Sequence, residues 1–154
     1  MSHRSLLSTR PTSLPLGLLL VALLLPGCGD GRPRTIAVRG RVTHDGKPLE
    51  AGTITFQPAQ TPEGIPRRPA VGQIQPDGTY VVSTFEKGDG ALPGEYRVAI
   101  TSYVGEPPIE VLEESPPPRP SRIPLKYTSP ATSGLKVTIP PDARGPVTRD
   151  FDVK

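Results

Sequence analysis

The stretch GRVTHDGKPLEAGTITF, residues 40–56, decides the fold. Before its turn, Val42 continues an alternation begun at Ile36 and Val38, with Arg39, Arg41 and Thr43 on the other phase and Gly40 on the apolar one. After it, Thr53-Ile54-Thr55-Phe56-Gln57 alternates again until Pro58. The period is two, that of a half-buried strand, and not the 3.6 of an amphipathic helix. Between the two runs His44-Asp45-Gly46-Lys47-Pro48 supplies the turn. Asp-Gly suits the positive φ of a tight hairpin, glycine at no steric cost and aspartate by bonding its own backbone.

The same pattern recurs outward from this hairpin. A third strand is expected at 70–75, ending at the Pro76-Asp77-Gly78 turn, and a fourth begins at Thr79 with Tyr80 and Val82 on one phase. Leu92-Pro93-Gly94 precedes a fifth, in which Tyr96, Val98 and Ile100 face one way and Arg97 and Thr101 the other. Leu135, Val137 and Ile139 mark a sixth strand. Val147, Phe151 and Val153 mark a seventh, with Arg149 a polar interruption. The expected fold class is all-β, a seven-stranded antiparallel sandwich, transthyretin-like or Ig-like. Its core is expected to hold Val42, Ile54, Phe56, Tyr80, Val98, Ile100, Leu135, Val137 and Phe151. The 22 prolines disfavour long helices. Two stretches fall outside the strand pattern: a polar loop at 57–69 with four prolines, and a longer one at 104–125 with seven prolines and four glutamates. A loop of that second length is usually functional or mobile.

Three motifs carry a resemblance: G-R-V-T-H-D-G-K-P-L-E-A-G-T-I-T-F, then P-D-G-T-Y, then P-G-E-Y-R-V-A-I. Together they resemble the carboxypeptidase regulatory-like domain, a transthyretin-like sandwich of seven strands. Gly40, Gly46, Pro48, Ile54 and Phe56 match its first hairpin. Asp77, Gly78 and Tyr80 match its central turn, and Gly94, Tyr96 and Val98 match its Pro-Gly-x-Tyr strand. The tail at 123–135 (IPLKYTSPATSGL) looks like the ending of small bacterial envelope lipoproteins with this domain. The resemblance spans 35–154 and implies an accessory role without chemistry, since in carboxypeptidases the domain sits beside the catalytic one.

Ahead of that region the chain reads as an export signal. His3, Arg4 and Arg10 form a positive segment with no acidic residue before Asp30, followed by a 12-residue apolar run at 14–25. That length suits a signal h-region of ~7–15 residues and falls short of the ~20 needed to span a bilayer. Leu25-Pro26-Gly27-Cys28 then resembles the bacterial lipobox, in which the thiol is diacylated and the chain cut just before it. The expected organisation is a signal peptide at 1–27, a lipidated tether at 28–34 with Cys28 as the lipidation site, and the β-domain at 35–154. Acylation also accounts for an unpaired cysteine in an exported protein. Durable anchoring takes two or more acyl chains, because one holds only marginally. Gly29 follows the cysteine and the first aspartate is Asp30, which leaves the choice between inner and outer membrane open. Cleavage removes Arg4 and Arg10, leaving 16 basic against 15 acidic side chains, a net charge of +1. The basic character of the whole chain therefore belongs largely to the signal, and no nucleic-acid partner is expected.

Catalysis is not expected either. Zinc hydrolysis needs about three protein ligands and a general base, and downstream of the signal only His44 remains. Asp150 and Asp152, with Asp89 and Asp142 elsewhere, are too sparse for calcium, which takes six to eight oxygens. Ser133 lies in Thr-Ser-Gly rather than in a nucleophile elbow, and no Gly-rich phosphate loop is present. No cofactor and no metal are expected. The expected function is that of a lipid-anchored, non-catalytic cell-envelope accessory or interaction module, exported and membrane-bound, with an envelope protein or polysaccharide as partner. The alternative is a carbohydrate- or peptide-binding lipoprotein using Tyr103, Tyr127 and the proline-rich loop. The chain's seven aromatics include no tryptophan, which weakens the sugar reading. Lys126 and Tyr127 admit two roles. In one, Tyr127 covers a sheet edge, Pro124 stiffens the return from the loop, and Ser133-Gly134 turns the chain into the sixth strand. In the other, Lys126 and Tyr127 present a cation and an aromatic face to a partner.

Overall fold

The structure, a computed structural model, describes residues 31–105 and 119–154. The chain divides between Arg32 and Pro33, and the fold is that of the unit Pro33–Lys154. It is all-β. The strands are β1 (Val38–His44), β2 (Lys47–Pro48), β3 (Gly52–Gln60), β4 (Ala70–Ile74), β5 (Thr79–Ser83), β6 (Gly94–Thr101), β7 (Lys136–Ile139), β8 (Val147–Thr148) and β9 (Phe151–Val153). Seven of them form one curled sheet in the order β2-β1-β5-β4-β3-β6-β7, antiparallel throughout.

The opening hairpin forms as its turn chemistry dictates. Asp45 and Gly46 have φ of 50° and 77°, and His44 pairs with Lys47 directly across them. Two positive φ values in a two-residue loop match the right-handed twist of the flanking strands. At the β4–β5 turn the Asp77 carboxylate accepts from the Thr79 amide (3.0 Å) and hydroxyl (2.6 Å).

The burial of the strands alternates as the sequence does. Val38, Val42, Ile54, Phe56, Ala70, Ile74, Tyr80, Val82, Tyr96, Val98, Ile100, Val137, Ile139 and Val153 are buried on one face. Tyr80 and Tyr96 bury their rings and keep a partner for the hydroxyl: Tyr80 donates to the Arg149 carbonyl (2.5 Å), Tyr96 to that of Leu92 (2.7 Å). An unbonded buried hydroxyl would cost about 1–3 kcal/mol. The Phe56 ring of β3 meets Tyr80 at 6.3 Å, Tyr96 at 6.0 Å and, edge to face, Phe151 of β9 at 6.3 Å. Phe151 reaches Phe56 although β1, β5 and β4 separate the two strands along the sheet. The curl of the sheet closes that distance.

Four sequence expectations need correction. The C-terminal segment does not pair antiparallel: β8 and β9 both run parallel to β1, with Val38 opposite Val147 and Val42 opposite Phe151. Alternation fixes which face a side chain takes and not the direction of the neighbouring strand. That segment is also two short pieces, because between them the Arg149 carbonyl takes the Tyr80 hydroxyl and the Arg41 amide bonds the Asp150 side chain in place of a backbone carbonyl. There Gly40 is indispensable, since a Cβ on it would lie 1.7 Å from the Arg149 carbonyl oxygen. Leu135 precedes β7 and is only partly buried, packed against the rim of the core. Finally, β3 runs to Gln60, past the expected stop at Pro58 and into the expected 57–69 loop. Beyond Phe56 it pairs with β6 alone, so Pro58 has no ladder bond to lose on its other side. The Pro58 carbonyl on that side takes the Arg67 guanidinium instead (3.3 Å).

Candidate functional site

Cys28 and the residues before it lie outside the described residues, as does 106–118 within the long loop. The geometry at hand is that of Tyr103, Lys126 and Tyr127.

Tyr103 stands at the stem of the loop. The chain leaves through Ser102-Tyr103-Val104 and returns through Pro120-Ser121-Arg122, and the two segments pair: Tyr103 opposes Ser121, Val104 N–H donates to Pro120 (2.9 Å) and Arg122 N–H to Ser102 (2.8 Å). Ser102, buried, donates its hydroxyl to the Ala51 carbonyl (2.5 Å) and ties the stem to the start of β3. Arg122 donates through Nε to the Tyr103 carbonyl (3.1 Å), and its Nη1 lies 3.9 Å from Glu50. Above them the Arg119 guanidinium covers the Tyr103 ring at 5.3 Å and donates to the Gly105 carbonyl. Tyr103 is 37% exposed and Val104 51%. An aromatic face under a guanidinium at an exposed site is worth roughly 0.5–1 kcal/mol. The two arginines are not separable from any others in the sequence. Only the closing of the loop brings them to Tyr103.

Lys126 and Tyr127 occupy a single 3₁₀ turn, Leu125–Thr128, entered through Pro124. The Thr128 hydroxyl closes the turn on the Leu125 carbonyl (2.7 Å), and the Thr132 hydroxyl holds the Lys126 carbonyl (2.7 Å). Tyr127 turns its ring into the core. Its hydroxyl, at the rim, accepts from the Lys154 amide (3.1 Å) and donates to the Lys154 main-chain oxygen (3.3 Å). That backbone contact, aided by Lys126, holds the phenol below its ordinary range. Lys126 is exposed and places its ammonium 4.8 Å above the Tyr127 ring. Ser133 and Gly134 make the turn that follows: the Ser133 hydroxyl donates to Val98 (2.5 Å) and accepts from the Leu135 amide (3.2 Å), and Gly134 has φ of 70°. Among the described residues no hydrogen bond or ring contact joins Tyr103 to Lys126 or Tyr127. Tyr103 belongs to the loop stem, and the other two belong to the clasp beside β6 and the end of β9.

The acidic residues near the C-terminal end brace the sheet. Asp150 accepts from the Arg41 amide (2.7 Å). Asp152 accepts from the Thr43 hydroxyl (2.8 Å), which holds its carboxyl below the usual carboxylate range, and lies 3.5 Å from the Lys154 ammonium. Among the described residues no three histidine, cysteine or acidic side chains gather as a metal site, and no helix is long and apolar enough to cross a membrane. Comparison with protein-family models, with curated proteins and with solved structures returned no match.

Proposed function

We propose that the mature chain is a lipid-anchored, non-catalytic module of the cell envelope, built on a transthyretin-like sandwich of the carboxypeptidase regulatory-like kind. One observation carries the reading. The lipobox-like Leu25-Pro26-Gly27-Cys28 sits immediately upstream of a folded unit that opens at Pro33. Seven residues separate Cys28 from Ile36, the first buried residue of the core. A fully extended tether of that length reaches about 25 Å, so an acylated Cys28 holds the domain close to the bilayer surface. Two acyl chains make that attachment durable where one would exchange. Support for the sandwich comes from the facing of Phe56 and Phe151 across the core and from the Asp-Gly hairpin that opens β1 and β2. The module acts by presenting its surface to an envelope protein or polysaccharide.

The exposure of Tyr103 under Arg119 favours a second reading, in which the loop stem binds a peptide or carbohydrate. A glycan array and a peptidoglycan pull-down separate the two, since the second requires a captured ligand whose retention falls with Tyr103→Ala. Anchoring itself is tested by fatty-acid labelling. The parent chain takes up labelled palmitate, and Cys28→Ala, which removes the acylated thiol, takes up none. No label on the parent, or equal label on the variant, contradicts the reading.

A further inference from the structure

The outward face of the sheet carries Arg97 and Lys136, and Arg67, from the loop between β3 and β4, lines a groove with Arg97. Strand alternation places Arg97 on the outer side of β6, because Tyr96 and Val98 are buried. The register then sets it directly opposite Lys136 on β7 and Gln57 on β3. Like charges at directly opposed positions of an antiparallel pair repel. Among the described residues neither Arg97 nor Lys136 has a carboxylate within ion-pair distance. A groove of about 450 Å³ opens beside Arg97, lined also by Arg67, Gln57, Ser129, Pro58 and Pro130, with no acidic residue in its wall. Arg67 is fixed there, since its Nη2 donates to the carbonyls of Pro58 (3.3 Å) and Ala59 (2.9 Å). A second groove of about 380 Å³ shares Arg97 and adds Lys136, with Glu95 at its wall.

We propose that these adjoining grooves bind a phosphomonoester, with Arg97 at the centre and Arg67 and Lys136 on its flanks. Three cations and one carboxylate leave a formal charge of +2, which complements a phosphate monoester carrying about −1.5 to −2 at neutral pH. Guanidinium groups present paired N–H donors that match phosphate oxygens, and such charge-assisted bonds are roughly twice as strong as neutral ones. Gln57 and Ser129 add neutral donors. A bound dianion also relieves the repulsion between Arg97 and Lys136. The proposal does not depend on acylation of Cys28.

The phosphate can come from a soluble phosphorylated sugar or from a lipid headgroup. The test therefore has two arms on the purified full chain at physiological salt: calorimetric titration with glucose 1-phosphate, and calorimetric titration with a short-chain phosphatidic acid below its micelle-forming concentration, with short-chain phosphatidylcholine as the control. Saturable binding in either arm, weakened at least about tenfold by Arg97→Gln and unchanged by Lys87→Gln on the loop between β5 and β6, is the expected result. Binding in the phosphatidic acid arm alone assigns the phosphate to a lipid headgroup. Arg97→Gln is also expected to leave the denaturation midpoint unchanged or to raise it. Should it lower the midpoint instead, Lys136→Gln, on the far side of the repelling pair, decides by the same titrations. Absence of saturable binding in both arms, or binding that the deciding variant leaves intact, overturns the proposal.

Discussion

Replacing Phe56 by alanine removes the ring on which the curled sheet closes. The side chain is fully buried and touches Tyr80, Tyr96 and Phe151 with ring centroids 6.3, 6.0 and 6.3 Å away. A Phe→Ala change in a packed core costs ~3–5 kcal/mol, the transfer term plus the cavity left behind. Three tilted or edge-on ring contacts, at ~0.5–1.5 kcal/mol each beyond area burial, place this site toward the upper end of that range. A domain of this size has a urea m-value of about 2 kcal/mol/M, so the midpoint should fall by about 2 M. The assay is equilibrium urea unfolding followed by far-UV circular dichroism, with Phe56→Leu as a volume-sparing control that should cost about 1–2 kcal/mol. A double-mutant cycle with Phe151→Ala should return a coupling of about 1 kcal/mol, because the two rings share one contact. A midpoint lowered by less than about 0.5 M would refute the enclosure of Phe56. A vanishing coupling would refute the folding of β9 over β3.

Three further outcomes follow from the same packing. Gly40→Ala should destabilise by about 2 kcal/mol or more on thermal melting, since its Cβ would lie 1.7 Å from the Arg149 carbonyl oxygen and would displace the acceptor of the Tyr80 hydroxyl. Tyr127→Ala should lower stability by about 1–3 kcal/mol in chemical denaturation, whereas Lys126→Ala stays within about 0.5 kcal/mol, because the first empties part of the core and the second removes an exposed cation. Alkali should unfold the domain in a predictable window: burial pushes Tyr96 up from 10.0 to about 12 and raises Tyr80 as well. The unfolded chain then releases these protons first, so stability is intact below pH 10 and falls above it by about 1.4 kcal/mol per pH unit for each tyrosine that lags. Tyr127, held below the ordinary range, ionises ahead of the transition; the tyrosinate absorbance of Tyr80 and Tyr96 and the circular dichroism should then change together, and full ionisation of Tyr96 at pH 10 with the fold intact would contradict the burial.

Much of the fold was legible because period-two alternation and Asp-Gly turns are local. The β1–β2 turn at Asp45-Gly46 and the inward phase of Ile54, Phe56, Tyr80 and Tyr96 all follow from a few neighbouring residues. What was not legible is long-range. The parallel pairing of β8 and β9 with β1 is set by residues about a hundred positions apart, and no alternation encodes it. Gly40 reads as a gap on the apolar phase, and only the return of Arg149 against it shows why a side chain is excluded there. Pro58 reads as a stop, yet the late start of β4 at Ala70 leaves its missing N–H without consequence. For the candidate sites the limit was the same. Tyr103, Lys126 and Tyr127 could be singled out as residue types, but the division of the first from the other two depends on the loop stem and the C-terminal clasp. Arg67, Arg97 and Lys136 look scattered along the chain; the β6–β7 register sets Arg97 opposite Lys136, and the loop after β3 brings Arg67 beside Arg97.

The most direct test of the lipid-anchored reading is mass spectrometry of the protein taken from the membrane fraction of its native cells. The expected N-terminal peptide begins at Cys28 and carries acyl chains on the thiol, with residues 1–27 gone. A peptide that retains Met1, or a Cys28 with a free thiol, would contradict it.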